Sequence, residues 1–172
     1  KIALNEFDKN EQIIKGNVSV AIVDASAAIA TAIIIRAVLL WAEDLTLDTF
    51  IAIFSAFAIS QLMLVLLTRW RENRFASRNQ DSSMQQALVQ GHTALALRHA
   101  GYMIAMALSF NAASHFIIFN PTAYVTNVIG WLVFSVIMLI ALSLLLFVVK
   151  KLVLARIDLA DEVERQHNIG IA

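Results

Sequence analysis

The sequence predicts an all-helical, polytopic transmembrane bundle of tandem parallel two-helix repeats, with four spans in its 172 residues. Three observations carry the prediction. Residues 16–40 (GNVSVAIVDASAAIATAIIIRAVLL) align without a gap on residues 91–115 (GHTALALRHAGYMIAMALSFNAASH), identical at Gly16/Gly91, Ala21/Ala96, Ala25/Ala100, Ile29/Ile104, Ala30/Ala105, Ala32/Ala107 and Ala37/Ala112. Apolar residues make up 59% of the chain and charged residues 15%, with a mean hydropathy of +0.72; soluble domains are about 45–50% apolar. The basic residues, finally, fall almost entirely on one side of the apolar runs.

Four runs approach the roughly 20 mostly apolar residues that a membrane-crossing helix needs: 18–41, 47–68, 93–119 and 125–149. No early short apolar run with a cleavage site marks a signal peptide. The chain divides into an approach segment (1–15), a first two-span repeat (16–75), a second approach segment and repeat (76–149), and a linker that starts a third copy (150–172). HNIGIA at 167–172 overlays GNVSVA at 16–21, setting Asn168 on Asn17 and Glu162 on Glu11. Self-similarity at a fixed period is the mark of repeat architectures, and it predicts an internal slice of a longer repeat protein with a fifth span beginning past Ala172. The approach segments 81–90 and 154–166 mix apolar and charged residues at helical spacing.

Lys1, Lys9 and Lys15 precede the first span, Arg69, Arg71, Arg74 and Arg78 separate the second from the third, and Lys150, Lys151, Arg156 and Arg165 follow the fourth. One opposite loop carries Glu43, Asp44 and Asp48, the other is FNPTAY, and neither has a basic residue. Because basic loops stay cytoplasmic, both ends of this stretch are expected there. Trp41, Trp70 and Tyr124 fit interfacial anchoring.

In the first span Ala21, Ala25, Ala28 and Ala32 recur at helical spacing; the third offers Ala96, Ala100, Gly101 and Ala105. Lipid tails are as apolar as Leu, so helices in a bilayer associate by close backbone approach, which small residues permit. The second and fourth spans are rich in Leu, Ile, Val and Phe instead. The first and third are therefore expected inside the bundle, with the second and fourth facing lipid.

A charge inside a bilayer costs about 2.5–3.5 kcal/mol even on the lenient insertion scale, so such residues face protein or water. Asp24, Arg98 and His99 form the candidate intramembrane polar site, since Asp24 and His99 occupy equivalent repeat positions at one depth. Two readings stand: an ion-paired structural cluster that fixes helix register, or a titrating site for a proton or cation. Arg36, near the outer end, can snorkel to the interface. Asn17, His92 and Asn168 begin the three copies, where Asn favours capping of a helix N-terminus and His92 offers titration as an alternative.

The chain has no Cys, which excludes disulfides, thiolate metal sites and cysteine nucleophiles from this stretch. It carries no phosphate-binding loop, HExxH, GxSxG or acidic metal cluster. His92, His99 and His115 are spaced seven and sixteen apart, which does not make a metal site. No catalytic residue, metal or cofactor is therefore expected. The basic loop RWRENRF reads as a positive-inside linker rather than a nucleic-acid site.

With its tandem two-span units, each opening on a polar approach, an Asn and alternating small residues, the chain resembles a bacterial inner-membrane family known as domain of unknown function 350. The pattern is Gly16-Asn17-Val18-Ser19-Val20-Ala21 and again Asn168-Ile169-Gly170-Ile171-Ala172; the second copy departs with His92-Thr93-Ala94-Leu95-Ala96. The resemblance covers essentially the whole chain and implies location and architecture: a bacterial inner (plasma) membrane protein without an agreed activity. A non-enzymatic scaffold or subunit is expected, in contact with lipid and with further copies or other membrane subunits. The alternative is a small-ion or proton channel or transporter using Asp24, Arg98 and His99.

Overall fold

The computed structural model describes residues 7–40, 46–79, 82–118, 120–155 and 157–172. Lys1, Trp41, Glu43, Asp44 and Arg156, used above for orientation and anchoring, lie outside the described residues. Among the described residues seven α-helices follow in order: α1 (Lys9–Ile14), α2 (Val18–Leu39), α3 (Leu47–Arg78), α4 (Met84–Val89), α5 (Thr93–Ser114), α6 (Tyr124–Val153) and α7 (Leu159–Glu164), with a 3₁₀ turn (Pro121–Ala123) before α6. No strand occurs among the described residues. Helices α2, α3 and α6 are long and apolar enough to cross a membrane. Helix α5 has the same 22-residue length as α2 but carries Arg98 and His99.

The sequence repeat has a structural counterpart at its approach segments. Each begins with a short oxygen-bearing side chain that accepts backbone N–H groups: Asp8 from Asn10 and Glu11, Ser83 from Gln86, Asp158 from Ala160 and Asp161. This is N-capping of the free donors at a helix start. Each of these three helices is six residues long. The first two end alike. Gly16 and Gly91 adopt φ of +80° and +88°, and the following N–H reaches back five residues, Asn17 to Gln12 at 3.0 Å and His92 to Ala87 at 3.1 Å. Such a left-handed stop suits glycine, which has no Cβ to clash. In the third copy His167 takes the left-handed conformation (φ +55°), and Asn168 N–H reaches Glu162, six residues back.

The chain forms two compact units. One comprises Lys1–Ala27, Leu64–Met103 and Arg156–Ala172. Its core joins Val20 and Val23 of α2, Phe75 of α3, Met84 and Leu88 of α4, and Leu95 and Ala96 of α5, flanked by Phe7, Ile13 and Ile22. Ser19 meets Thr93 here at 3.2 Å, and Ser26 Oγ lies 3.7 Å from Met103 Sδ. The other unit comprises Ala28–Met63 and Ile104–Ala155. Its centre is the fully buried Trp131, stacked on Phe110 at 5.0 Å and donating its indole N–H to Ser114 Oγ and the Phe110 carbonyl. Arg36 donates to Asn111 Oδ1 in this unit at 3.1 Å. These α2–α5 contacts join residues 74, 77 and 75 apart, close to the repeat spacing.

Which faces are buried differs in part from the expectation. Helix α5 is interior, burying Ala94, Leu95, Ala96, His99, Ala100, Met103, Met106, Ala107, Phe110 and Ala113. Helix α6 buries only Val128, Trp131 and Ser135, and its Leu144, Leu145, Phe147 and Leu152 are exposed, as a lipid-facing surface requires. Helix α3, expected to face lipid, instead buries Thr49, Ala52, Ala56, Ser60, Leu64 and Thr68 along one stripe. Its Leu and Phe residues dominate the composition but sit on the other faces, where Phe54, Leu62 and Leu66 are exposed. Within the chain α2 packs through Ser19, Val23, Ser26, Ala30, Ile34 and Ala37, whereas Ala25, Ala28 and Ala32 are exposed and Ala21 is half-buried. Helix α2 carries two stripes of small residues, and periodicity alone does not say which one meets its neighbour.

Substituting Gly91→Ala forces a side chain into the left-handed turn (φ +88°) and should cost about 1 kcal/mol or more. Chemical denaturation in detergent micelles, followed by circular dichroism, measures that loss.

Candidate functional site

Most of the polar side chains paired across helices lie in the unit containing the approach helices. Asn17 sits between α1 and α2 and serves two helices at once. Its Oδ1 accepts from Val20 N–H at 3.1 Å, capping α2. Its Nδ2 donates to the Leu88 and Val89 carbonyls at 3.2 and 2.8 Å, satisfying the end of α4 in the other repeat copy. One amide thus answers free donors at one helix start and free acceptors at another helix end. The equivalent His92 lies against His167, with ring centroids 3.7 Å apart. Its Nδ1 is buried without a protein partner among the described residues. Burial pushes the His92 imidazole below its ordinary pKa of 6.5, and the nearby His167 adds to that shift. Asn168 accepts from Gly170 N–H and donates to Glu162, so it stays within its own turn.

The expected trio of Asp24, Arg98 and His99 is not assembled. Asp24 is ion-paired with Lys9 of α1. Arg98 pairs with Glu164 of α7 at 3.3 Å, and the same carboxylate accepts from Asn79 Nδ2 and lies 3.7 Å from Arg78. His99 is fully buried and accepts at Nδ1 from Arg71 Nε at 3.0 Å. The physical reason is the repeat itself. Asp24 and His99 occupy equivalent positions on repeated helices, so each reaches a different neighbour instead of the other.

The Arg71 contact fixes the histidine tautomer. Since Nδ1 accepts, the ring proton of neutral His99 must sit on Nε2. The Arg71 guanidinium also lies 3.9 Å from the centre of the Tyr102 ring, a cation–π contact that offsets part of the cost of burying the charge. Alongside, Glu72 accepts from Gln85 Nε2 at 2.6 Å and from Arg69 at 3.0 Å. These pairings tie α3, α4, α5 and α7 together at one polar layer. Chemically, the layer neutralises charges by pairing.

Sequence reasoning missed Arg71, Glu72, Gln85, Tyr102 and Glu164. Hydropathy places Arg71 and Glu72 in a loop because the apolar run ends near Thr68, but α3 continues to Arg78. A stretch without Gly or Pro to stop the helix and with four Arg, a Glu and an Ala among its eleven residues, TRWRENRFASR, was the available signal. Glu164 lay within a segment read only as an approach. The predicted packing residues Ala96 and Ala100 are buried, Ala105 is half-buried and Gly101 is exposed.

Repeated approach helices, apolar helices of membrane-crossing length and a paired polar layer define an all-helical membrane protein built from a duplicated element. The chain belongs to the family described as Domain of Unknown Function (DUF350), whose model matches residues 1–113 and again residues 44–172, as a tandem repeat would. None of the curated proteins and none of the solved structures matches it.

Glu164→Gln should destabilise the fold by about 2–3 kcal/mol, because it leaves the partly buried Arg98 without its counter-charge. Asn17→Ala should cost about 2 kcal/mol, combining a lost N-cap with lost bonds to the α4 carbonyls, and Asn17→Ser should recover roughly half by restoring the cap alone. Both series are read by denaturant midpoints. The lowered His92 pKa sets a pH dependence. The unfolded chain takes up a proton near the ordinary value while the folded chain does not, so stability should fall as pH drops below about 6.5. That component should vanish in His92→Asn, as stability against pH will report.

Proposed function

We propose that this chain is a non-enzymatic scaffold subunit of a bacterial inner-membrane assembly. It would cross the membrane four times through α2, α3, α5 and α6, arranged as parallel two-helix repeats with both ends in the cytoplasm. The carrying observation is the pairing of the polar layer. Lys9 with Asp24, Arg71 with His99, and Arg98 with Glu164 form mutual contacts of the kind that hold helices in register. The near-constant offset of 74 to 77 residues in the α2–α5 contacts supports the parallel arrangement. The basic residues around α1, α4 and α7 support their cytoplasmic location. Four-span crossing treats α5 as a span despite Arg98 and His99, whose partners Glu164 and Arg71 reduce the cost of depth.

Two measurements test this reading. In a chain without Cys, Ser77→Cys should react with an impermeant thiol reagent only from the cytoplasmic side and Thr122→Cys only from the outer side, both positions being exposed. Proteoliposomes carrying the purified protein should show no proton or cation flux above protein-free vesicles, and Asp24→Asn should lower the yield of folded protein. Flux that disappears in Asp24→Asn while folding and expression persist would overturn the scaffold reading.

A further inference from the structure

Helix α3 outlasts its apolar run. With 32 residues rising 1.5 Å each it is about 48 Å long, against about 30 Å of hydrocarbon in a bilayer. Wherever the apolar part crosses a membrane, the last turns from Arg69 to Arg78 therefore lie in the headgroup layer or beyond it. These turns belong wholly to the unit that holds the approach helices. On the inner side Phe75 is buried and Arg71 reaches His99 and Tyr102. On the outer side Leu66, Trp70, Asn73 and Arg74 are exposed, Leu66 to 52% and Trp70 to 53%. Steps of three and four residues place them on one face, with the exposed Arg78 at its edge. Along that face the chemistry runs from apolar to aromatic to cationic.

That order matches depth in a leaflet. Tryptophan settles at the membrane–water boundary, and Arg74 lies four residues further on, about 6 Å along the helix. The headgroup region of one leaflet is about 5–8 Å deep, so Arg74 reaches phosphate level when Trp70 sits at the edge of the acyl chains. The charge at this end is not balanced from within the chain. Arg69 is matched with Glu72 at 3.0 Å. Arg78 and Arg98 share the one carboxylate of Glu164, at 3.7 and 3.3 Å, and Asp158 adds a negative charge near Arg78. Arg71 and Arg74 stand against the Tyr102 and Trp70 rings, and neither has a carboxylate within ion-pair distance among the described residues. We infer that this face of α3 holds the phosphate headgroup of an anionic phospholipid. Arg74 and Arg78 take the phosphate, Trp70 lies at the glycerol level, and Leu66 lies along an acyl chain. A phosphate offers the acceptor oxygens that a guanidinium fork binds two at a time, and basic residues just past a membrane-crossing helix attract anionic lipid. The inference rests on the membrane-crossing reading proposed above and names a lipid partner for it.

Fluorescence quenching of the full chain in reconstituted vesicles tests it. The vesicles are phosphatidylcholine with a minor share of phosphatidylglycerol, and brominated acyl chains are carried either by the phosphatidylglycerol or by an equal amount of the phosphatidylcholine. The Trp70 signal is the difference between the unaltered chain and Trp70→Phe. Brominated phosphatidylglycerol should quench it more strongly than brominated phosphatidylcholine. Arg74→Gln, which breaks no ion pair within the chain, should lower that preference about fivefold, the contribution of one cation at a membrane surface, and Arg74→Lys should keep most of it. Lys150→Gln with Lys151→Gln, which removes charge from the end of α6 instead, should leave it unchanged. Equal quenching by the two lipids would overturn the inference, and so would an equal loss in the Lys150 and Lys151 double variant, which would mark general attraction to net charge. Inorganic phosphate that lowers the preference more than sodium chloride at the same ionic strength would also overturn it, in favour of a soluble phosphate. Equal quenching leaves α3 in the bilayer and the membrane-crossing reading standing; that reading fails separately, if neither lipid quenches Trp70.

Discussion

Asn17 is the contact on which the arrangement of the repeats depends. Backbone groups at helix ends need partners wherever water is scarce. This side chain supplies an acceptor to the start of α2 and donors to the end of α4, 71 and 72 residues away. Its position is made by the glycine stop before it, because the left-handed turn at Gly16 brings the chain from α1 into α2 across only three residues, Lys15, Gly16 and Asn17. The same stop at Gly91 delivers His92, which cannot reproduce both halves of the Asn contact and meets His167 instead.

Around that link the burial of charge is handled by pairing rather than by exposure. The buried His99 is matched with Arg71, and Arg98 with Glu164. Removing one member of such a pair leaves the other desolvated and alone, which costs more than the pair itself contributes. The layer therefore acts as a check on register: α5 and α7 can shift past each other only by separating Arg98 from Glu164. At the opposite pole of the chemistry, α6 presents Leu, Val and Phe outward and holds to its unit chiefly through Trp131.

Much of the organisation was legible in the chain. The 75-residue repeat sets Gly16 on Gly91, the two glycines whose left-handed turns follow α1 and α4, and the apolar runs located α2, α3 and α6. The candidate site was legible only by residue type. Asp24, Arg98 and His99 were identifiable as costly ionisable groups, but their partners Lys9, Glu164 and Arg71 come from segments that hydropathy assigns to linkers. Hydropathy averages over a window and cannot register that α3 carries Arg71 three residues past the apolar run on a continuous helix.

Sequence alone determined that the chain is helical, apolar enough for a membrane and built on a duplicated unit, because composition and period are properties of the linear chain. Tertiary structure decided which stripe of each helix is covered. Helix α2 has Ala25, Ala28 and Ala32 on one side and Ser26, Ala30 and Ala37 on the other, both small enough to pack, and the folded chain covers the second. Pairing of the charges was decided there too, since side chains at equivalent repeat positions meet different neighbours once the helices stand together.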